Sequence, residues 1–178
     1  MMQRMRLVCT IAGLMVSGVA FGQAPAVSQA SGPAAEVQRS YAGVKTNILK
    51  SAEAMPAESY TYKPEPDIRT YARVLNHISE AQLRSCGAVN GTKDLAKVPP
   101  ETADKAPIVE ALKASFAECD KAFATLTDAN LGDILQAGQA KRSRVGLIWG
   151  TVSHDNEQYA TLALYLRLKG LTPPSSEK

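Results

Sequence analysis

The fold is decided by the stretch LIWGTVSHDNEQYATLALYLRLKGLTPP, residues 147–174. Apolar side chains recur there at steps of three and four, which is the spacing of an amphipathic helix. Gly170 and the pair Pro173–Pro174 supply the stop. The pattern predicts a long helix over about residues 144–169. Its apolar face contains Val145, Ile148, Val152, Tyr159, Leu162 and Leu166.

Three earlier segments show the same periodicity. The first runs from about residue 33 to residue 55 and is stopped by Pro56. The second starts between residues 67 and 70 and stops at Asn90–Gly91, and the third starts near Pro107. The stretch between the first two contains three prolines and is predicted to be an extended connection.

The rest of the chain gives no strand signal. No segment alternates apolar and β-branched residues over a useful length, and residues 131–135 suggest a short helical turn. Four long helices with modest connections predict an all-α protein, an antiparallel four-helix bundle. Sites in such bundles are built from side chains on facing helices.

The N-terminus predicts export. Arg4 and Arg6 precede a short apolar run, residues 7–20, and Ala20-Phe21-Gly22 fits a cleavage site before Gln23. An apolar run of about 14 residues is too short to span a bilayer, so no stable membrane insertion is expected after cleavage. We expect a periplasmic or secreted protein. The predicted division is a signal peptide (1–22), a flexible leader (23–32), the bundle (33–172) and a tail (173–178).

The charge balance argues against a nucleic-acid partner. Loss of Arg4 and Arg6 with the signal would lower the formal net charge from +3 to +1. Binding to a phosphate backbone usually needs a clustered basic face. The densest basic cluster, Lys141, Arg142 and Arg144, is better explained as the flank of a helix start.

Two cysteines follow the predicted signal peptide, Cys86 and Cys119. In an oxidising compartment they are expected to form a disulfide worth about 4 kcal/mol on the chain-entropy model. Two buried free thiols are the alternative. A catalytic redox pair is disfavoured because the Cys-x-x-Cys spacing is absent, although a redox-responsive staple stays open.

The chain has only two histidines, His77 and His154, and each lies in a predicted helix. If the two helices face each other, these side chains and Gln158, one turn after His154, can converge on a divalent metal. The alternative for His154 is a surface imidazole in a polar turn. The alternative for His77 is an imidazole bonded to a backbone carbonyl or to Glu80.

Three stretches together resemble the DinB-like (DinB/YfiT) superfamily, in particular its exported bacterial members. They are MPAESYTYKPEPDIRTYARVLNHISEAQ (55–82), SFAECDKAF (115–123) and HDNEQYATLALYLRLKGLTPPSS (154–176). The resemblance implies a four-helix bundle, often a homodimer, with a divalent metal held by three histidines. One ligand position matches His77, and an His-x-x-x-His pair on the last helix matches His154 and Gln158. This chain therefore has glutamine where the family pattern has its third histidine.

Two functions follow from the resemblance and the departure from it. The first is a metal-dependent hydrolase or transferase that binds zinc or nickel through His77, His154 and Gln158, with Glu157 or Glu80 as general base. Asp155 or Glu157 could replace Gln158 as a ligand, and Glu157 is the better substitute, because at three residues from His154 it points closer to it than Asp155 does. The second is a non-catalytic relative with a lapsed metal site that binds a small ligand or a protein in the envelope.

Overall fold

The computed structural model describes residues 31–177, in which four helices form a bundle. The predicted signal peptide and nearly all of the predicted leader lie outside the described residues. The helices are α1 (Pro33–Ala54), α2 (Tyr71–Asn90), α3 (Lys105–Ala124) and α4 (Arg144–Leu168).

The helix ends follow from local chemistry. A proline occupies the first turn of α1, where its missing N–H costs nothing. Thr70 caps α2 by accepting a hydrogen bond from the Arg73 backbone N–H. The same helix ends at Gly91, whose φ of 71° lies in the left-handed region that favours glycine. These ends agree with the predicted helix boundaries to within about two residues.

The connection before α4 differs from the prediction. Instead of a helical turn at residues 131–135, the chain forms an antiparallel hairpin of β1 (Ile134–Ala137) and β2 (Ala140–Ser143). Gly138, with φ of 60°, opens its two-residue turn. The prediction of no strands was wrong here because each strand has only four residues and is mostly exposed, so no apolar alternation is needed.

The core lies along the inner faces of the four helices. α2 is central, since it packs against both α3 and α4, while α1 packs mainly on α4. The largest fully buried apolar side chains are Ile48, Met55, Tyr71, Leu75, Ile78, Ile108, Leu112, Phe116, Ile148, Leu162 and Leu166. The polar side chains of Gln82, Ser115 and Asp155 are also fully buried, as are those of Ser51 and Ser79.

A disulfide joins α2 to α3. The sulfurs of Cys86 and Cys119 lie at bonding distance, as the sequence predicts, with their Cα atoms 5.0 Å apart. Both residues are completely buried in the core. The cross-link therefore fixes the last turns of α3 against the last turns of α2. Because Gln82 meets Ser115 and Cys86 meets Cys119, these two helices run parallel, and the predicted antiparallel arrangement is wrong for this pair.

The segment after α4 packs back on the bundle. The Tyr159 hydroxyl donates to Ser175 Oγ at 2.7 Å and accepts from the Ser175 backbone N–H at 2.9 Å. Lys50 of α1 pairs with Glu177 at 3.0 Å. Of the helices that the structure describes, none combines the length and hydropathy needed to cross a membrane.

Candidate metal centre

The structure brings the two histidines together where α2 and α4 face each other. His77 Nε2 lies 3.1 Å from His154 Nε2, and the ring planes are inclined by 67°. Both side chains are only partly buried. The expected convergence of the two imidazoles is therefore present, and it joins residues that are 77 positions apart in sequence.

The surroundings favour the neutral form of His77. Burial, the largest cause, lowers the pKa of its imidazole. The positive charges of Arg69, His154 and Arg73 lower it further, while Glu80 opposes them. A neutral imidazole offers a lone pair, which is the form that ligates a metal.

A buried polar network stands behind His154. The Asp155 Oδ1 atom lies 3.5 Å from His154 Nδ1, on the side of the ring away from His77. Asp155 Oδ2 accepts a 2.7 Å hydrogen bond from the Gln82 amide, and the Ser115 hydroxyl donates to Gln82 Oε1 at 2.7 Å. Burial raises the pKa of Asp155, and the bonds from its partners oppose that rise. The network orients the His154 ring from behind, as outer partners of ligand histidines do.

Sequence reasoning did not identify this network. Asp155 falls on the apolar stripe of α4, three residues after Val152 and four before Tyr159, so its burial could have been predicted from the period. Gln82 and Ser115 gave no such signal, because their meeting depends on how α2 and α3 pack.

Gln158 supplies a free amide one turn beyond His154. It is only 6% exposed, and within residues 31–177 its side chain makes no hydrogen bond. No protein group in this range bonds the amide, so it is available to a ligand. Its side chain lines a cavity of about 400 Å³ together with Val74 of α2 and Glu157.

The donor set is neutral. In the described part of the chain, no three His, Cys, Asp or Glu side chains cluster closely enough to hold a metal. His154 and Gln158 line separate cavities, and His77 lines neither of them. The residues present therefore offer two imidazole nitrogens and one amide oxygen, which fits a weaker site than three histidines would make.

The two predicted general bases differ in whether their carboxylates are ion-paired. Glu80 forms a bidentate ion pair with Arg73, at 3.1 and 3.0 Å. Glu157 is exposed and lines the same cavity as Gln158. A ligand in that cavity would consequently meet Glu157, and also Asp67, as carboxylates without an ion pair in the described residues.

A model of the DinB superfamily matches residues 41–162, which include every candidate ligand. Among curated proteins, none matches the chain significantly. The family match covers α2, α3 and most of α1 and α4.

Solved structures show the same fold. A DinB-like protein from Bacillus cereus ATCC 10987 superposes with a TM-score of 0.64 at 18% identity, over 78% of this chain and 93% of that chain. A DinB-like protein from Bacillus subtilis gives 0.60 at 14% identity, over 77% and 93%. A conserved protein from Enterococcus faecalis gives 0.61 at 14% identity, over 78% and 98%. At such low identities the likeness concerns the fold alone.

Proposed function

The chain belongs to the DinB superfamily, and we propose from this premise that the seam between α2 and α4 binds one divalent metal ion, zinc or nickel, through His77, His154 and Gln158. The observation that carries the proposal is the 3.1 Å approach of the two Nε2 atoms, with Gln158 one helical turn after His154. Two nitrogens on one tetrahedral zinc ion, each at about 2.0–2.1 Å, lie about 3.3 Å apart. The histidine pair is close to that separation.

The donor chemistry selects the class of metal. Imidazole nitrogens suit zinc, copper and nickel, whereas magnesium and calcium prefer sets of oxygen ligands. A neutral donor set leaves the full charge of the ion available to a substrate. When bound, such an ion supplies Lewis-acid activation of a substrate oxygen, which suits hydrolysis or group transfer.

The chain's own residues complete the proposed site. Asp155, held by Gln82, keeps His154 Nε2 turned toward His77. Glu157 is the proposed general base, because its carboxylate is exposed to the cavity and unpaired in the described structure. Glu80 is the lesser candidate, since Arg73 occupies both of its oxygens.

The proposed location is outside the cytoplasm, in the periplasm or the medium. Arg4, Arg6 and the apolar run at 7–20 support a signal peptide. The Cys86–Cys119 pairing supports it independently, because structural disulfides persist in oxidising compartments. We also propose that the protein acts on a small molecule and forms a homodimer, and we propose no nucleic-acid partner.

A non-catalytic relative is the second candidate. Such a protein would no longer bind metal and would bind a small ligand or a protein in the envelope. The observation in its favour is the lack of a third charged or imidazole ligand within the residues that the structure describes. The two imidazoles can also satisfy each other through one shared hydrogen bond.

Metal titration tests the proposal. Zinc and nickel are titrated calorimetrically into the metal-free natural protein, His77→Ala and Gln158→Ala. Asn156→Ala is the matched control, because its exposed amide lies on the same helix and bonds only the Val152 carbonyl. We expect His77→Ala to weaken binding by at least about 100-fold and Gln158→Ala by about tenfold, with the control unchanged. Absence of binding to the natural protein would refute the metal proposal.

A further inference from the structure

The seam between α2 and α4 continues past the histidine pair, away from Gln158, into a cavity of about 250 Å³. Arg84 and Ser85 of α2, Arg142 of β2, and Gly146, Gly150 and His154 of α4 line it. We call it the arginine cavity. It opens into a groove of about 730 Å³ that shares Arg84 and Arg142 and adds Lys93.

The charged side chains that line the arginine cavity and the adjoining groove are all positive. No acidic side chain lines either the arginine cavity or the adjoining groove in the described part of the chain. Arg39, Arg73 and Arg144 each pair with a carboxylate. Within residues 31–177, Arg84 and Arg142 pair with none. Two unpaired guanidinium groups beside one cavity create a positive field that is not neutralised from within the protein.

The fold holds Arg142 in place above the cavity. Its Nη2 donates to the Gly146 carbonyl at 3.3 Å, and its guanidinium lies 3.9 Å from where a Cβ of residue 146 would stand. The N-terminus of α4, capped by Ser143, adds the positive end of a 25-residue helix.

The floor of the cavity is open because α4 has glycine there. Gly146, Gly150 and His154 follow one another at intervals of four residues and so share a face of the helix. A Cβ built at Gly150 would meet no atom within 4 Å. Gly150 therefore places no side chain between the guanidinium groups and His154.

We infer that the arginine cavity is the subsite for the anionic group of a small substrate whose reactive atoms lie at the His77–His154 pair. Guanidinium groups hold carboxylate and phosphate through paired, charge-assisted hydrogen bonds. The shared chemistry is an oxyanion on a small molecule, supplied either by a carboxylate or by a phosphate ester. The inference deepens the proposed function and rests on it for the reacting centre, but anion binding itself requires no metal.

The geometry also sets the length of the substrate. Arg84 lies seven residues from His77, which is about 10 Å along α2 at 1.5 Å per residue. Gly150 lies four residues from His154, about 6 Å along α4. An anionic group in the cavity would therefore be separated from the reacting bond by about 6–10 Å, the reach of a small metabolite.

Calorimetric titration of the metal-free full chain with succinate and with inorganic phosphate, at low ionic strength, tests the inference. We expect binding with a Kd below about 10 mM, weakened at least about tenfold by Arg84→Gln or by Arg142→Gln. Lys141→Gln is the matched control, since it also removes one positive charge from β2, at the residue before Arg142, which does not line the cavity. Tighter binding of succinate would identify a carboxylate, and tighter binding of phosphate a phosphate ester.

Two variants separate this inference from the metal proposal. His77→Ala should abolish metal binding and leave the Kd for the anion within about twofold. Gly150→Leu should block the cavity without changing the charge, and so weaken anion binding as strongly as the arginine variants do. No binding of either probe by the natural protein, or an equal loss in Lys141→Gln, would overturn the anion subsite whatever the metal titration shows.

Discussion

Replacement of Gln82 by methionine should destabilise the bundle and weaken its metal affinity together. Gln82 is completely buried, and its amide bridges Asp155 and Ser115 through two 2.7 Å hydrogen bonds. Methionine has nearly the same length and volume, so Gln82→Met removes the hydrogen bonds with little change in packing.

The magnitude follows from what each partner retains. In the variant the single Ser115 hydroxyl proton can turn to the Leu112 carbonyl, 2.8 Å away, so the loss there is about 1 kcal/mol, that of a neutral hydrogen bond. Asp155 keeps only the 3.5 Å approach of His154, and an unsatisfied buried acceptor costs about 1–3 kcal/mol. We expect Gln82→Met to lower the free energy of unfolding by about 2–4 kcal/mol.

Urea unfolding of the oxidised protein measures this change. Gln139→Met, in the exposed hairpin turn, is the matched control and should stay within about 0.5 kcal/mol of the natural protein. Zinc affinity should fall about 10- to 100-fold in Gln82→Met, because the orientation of His154 depends on Asp155. A Gln82→Met protein as stable as the Gln139→Met control would refute the structural role of the network.

Three further predictions concern stability. Replacing Cys86 and Cys119 together by alanine should lower the free energy of unfolding by about 4 kcal/mol, since the disulfide closes a loop across 33 positions; an unchanged urea midpoint would contradict this. Hydrogen bonds, first from Thr92, lower the pKa of Glu118 to about 2. Its folded pKa lies below its ordinary value, so its stabilisation is present above about pH 4.5 and lost toward pH 2. The deficit of Glu118→Gln in urea unfolding should accordingly be larger at pH 7 than at pH 3, and a constant deficit would argue otherwise. Gly150→Ala should raise the free energy of unfolding by about 1 kcal/mol, and with it the melting temperature, because alanine favours the helix more than glycine and the added methyl group meets no neighbour. A lower melting temperature would be inconsistent with the open cavity.

The sequence predicted the helices because each carries its own signal. Periodic apolar residues mark the buried face, and Pro56 and Gly91 mark ends that only local backbone chemistry decides. The hairpin before α4 escaped prediction because Gly138 and its short, exposed strands need no apolar pattern to pair.

The site was predictable only in part. His77 and His154 were candidates because of their rarity and of the family resemblance, but their 3.1 Å approach depends on how α2 and α4 pack. The arginine cavity combines Arg84 of α2 with Arg142 of the hairpin, two elements that no local pattern places together. Contacts between distant segments are set by the packing of the whole core, and single-sequence periodicity does not record them.

The metal content of the natural protein decides whether the seam between α2 and α4 is a metal site. It is measured by elemental analysis after purification without chelator, with Gln158→His purified in parallel. We expect about one zinc or nickel ion per natural chain, held by the histidine pair and the Gln158 amide, and the same stoichiometry with tighter binding in the variant. A natural protein without metal beside a Gln158→His variant with one ion per chain would contradict this expectation, and would show a metal site that this chain has lost.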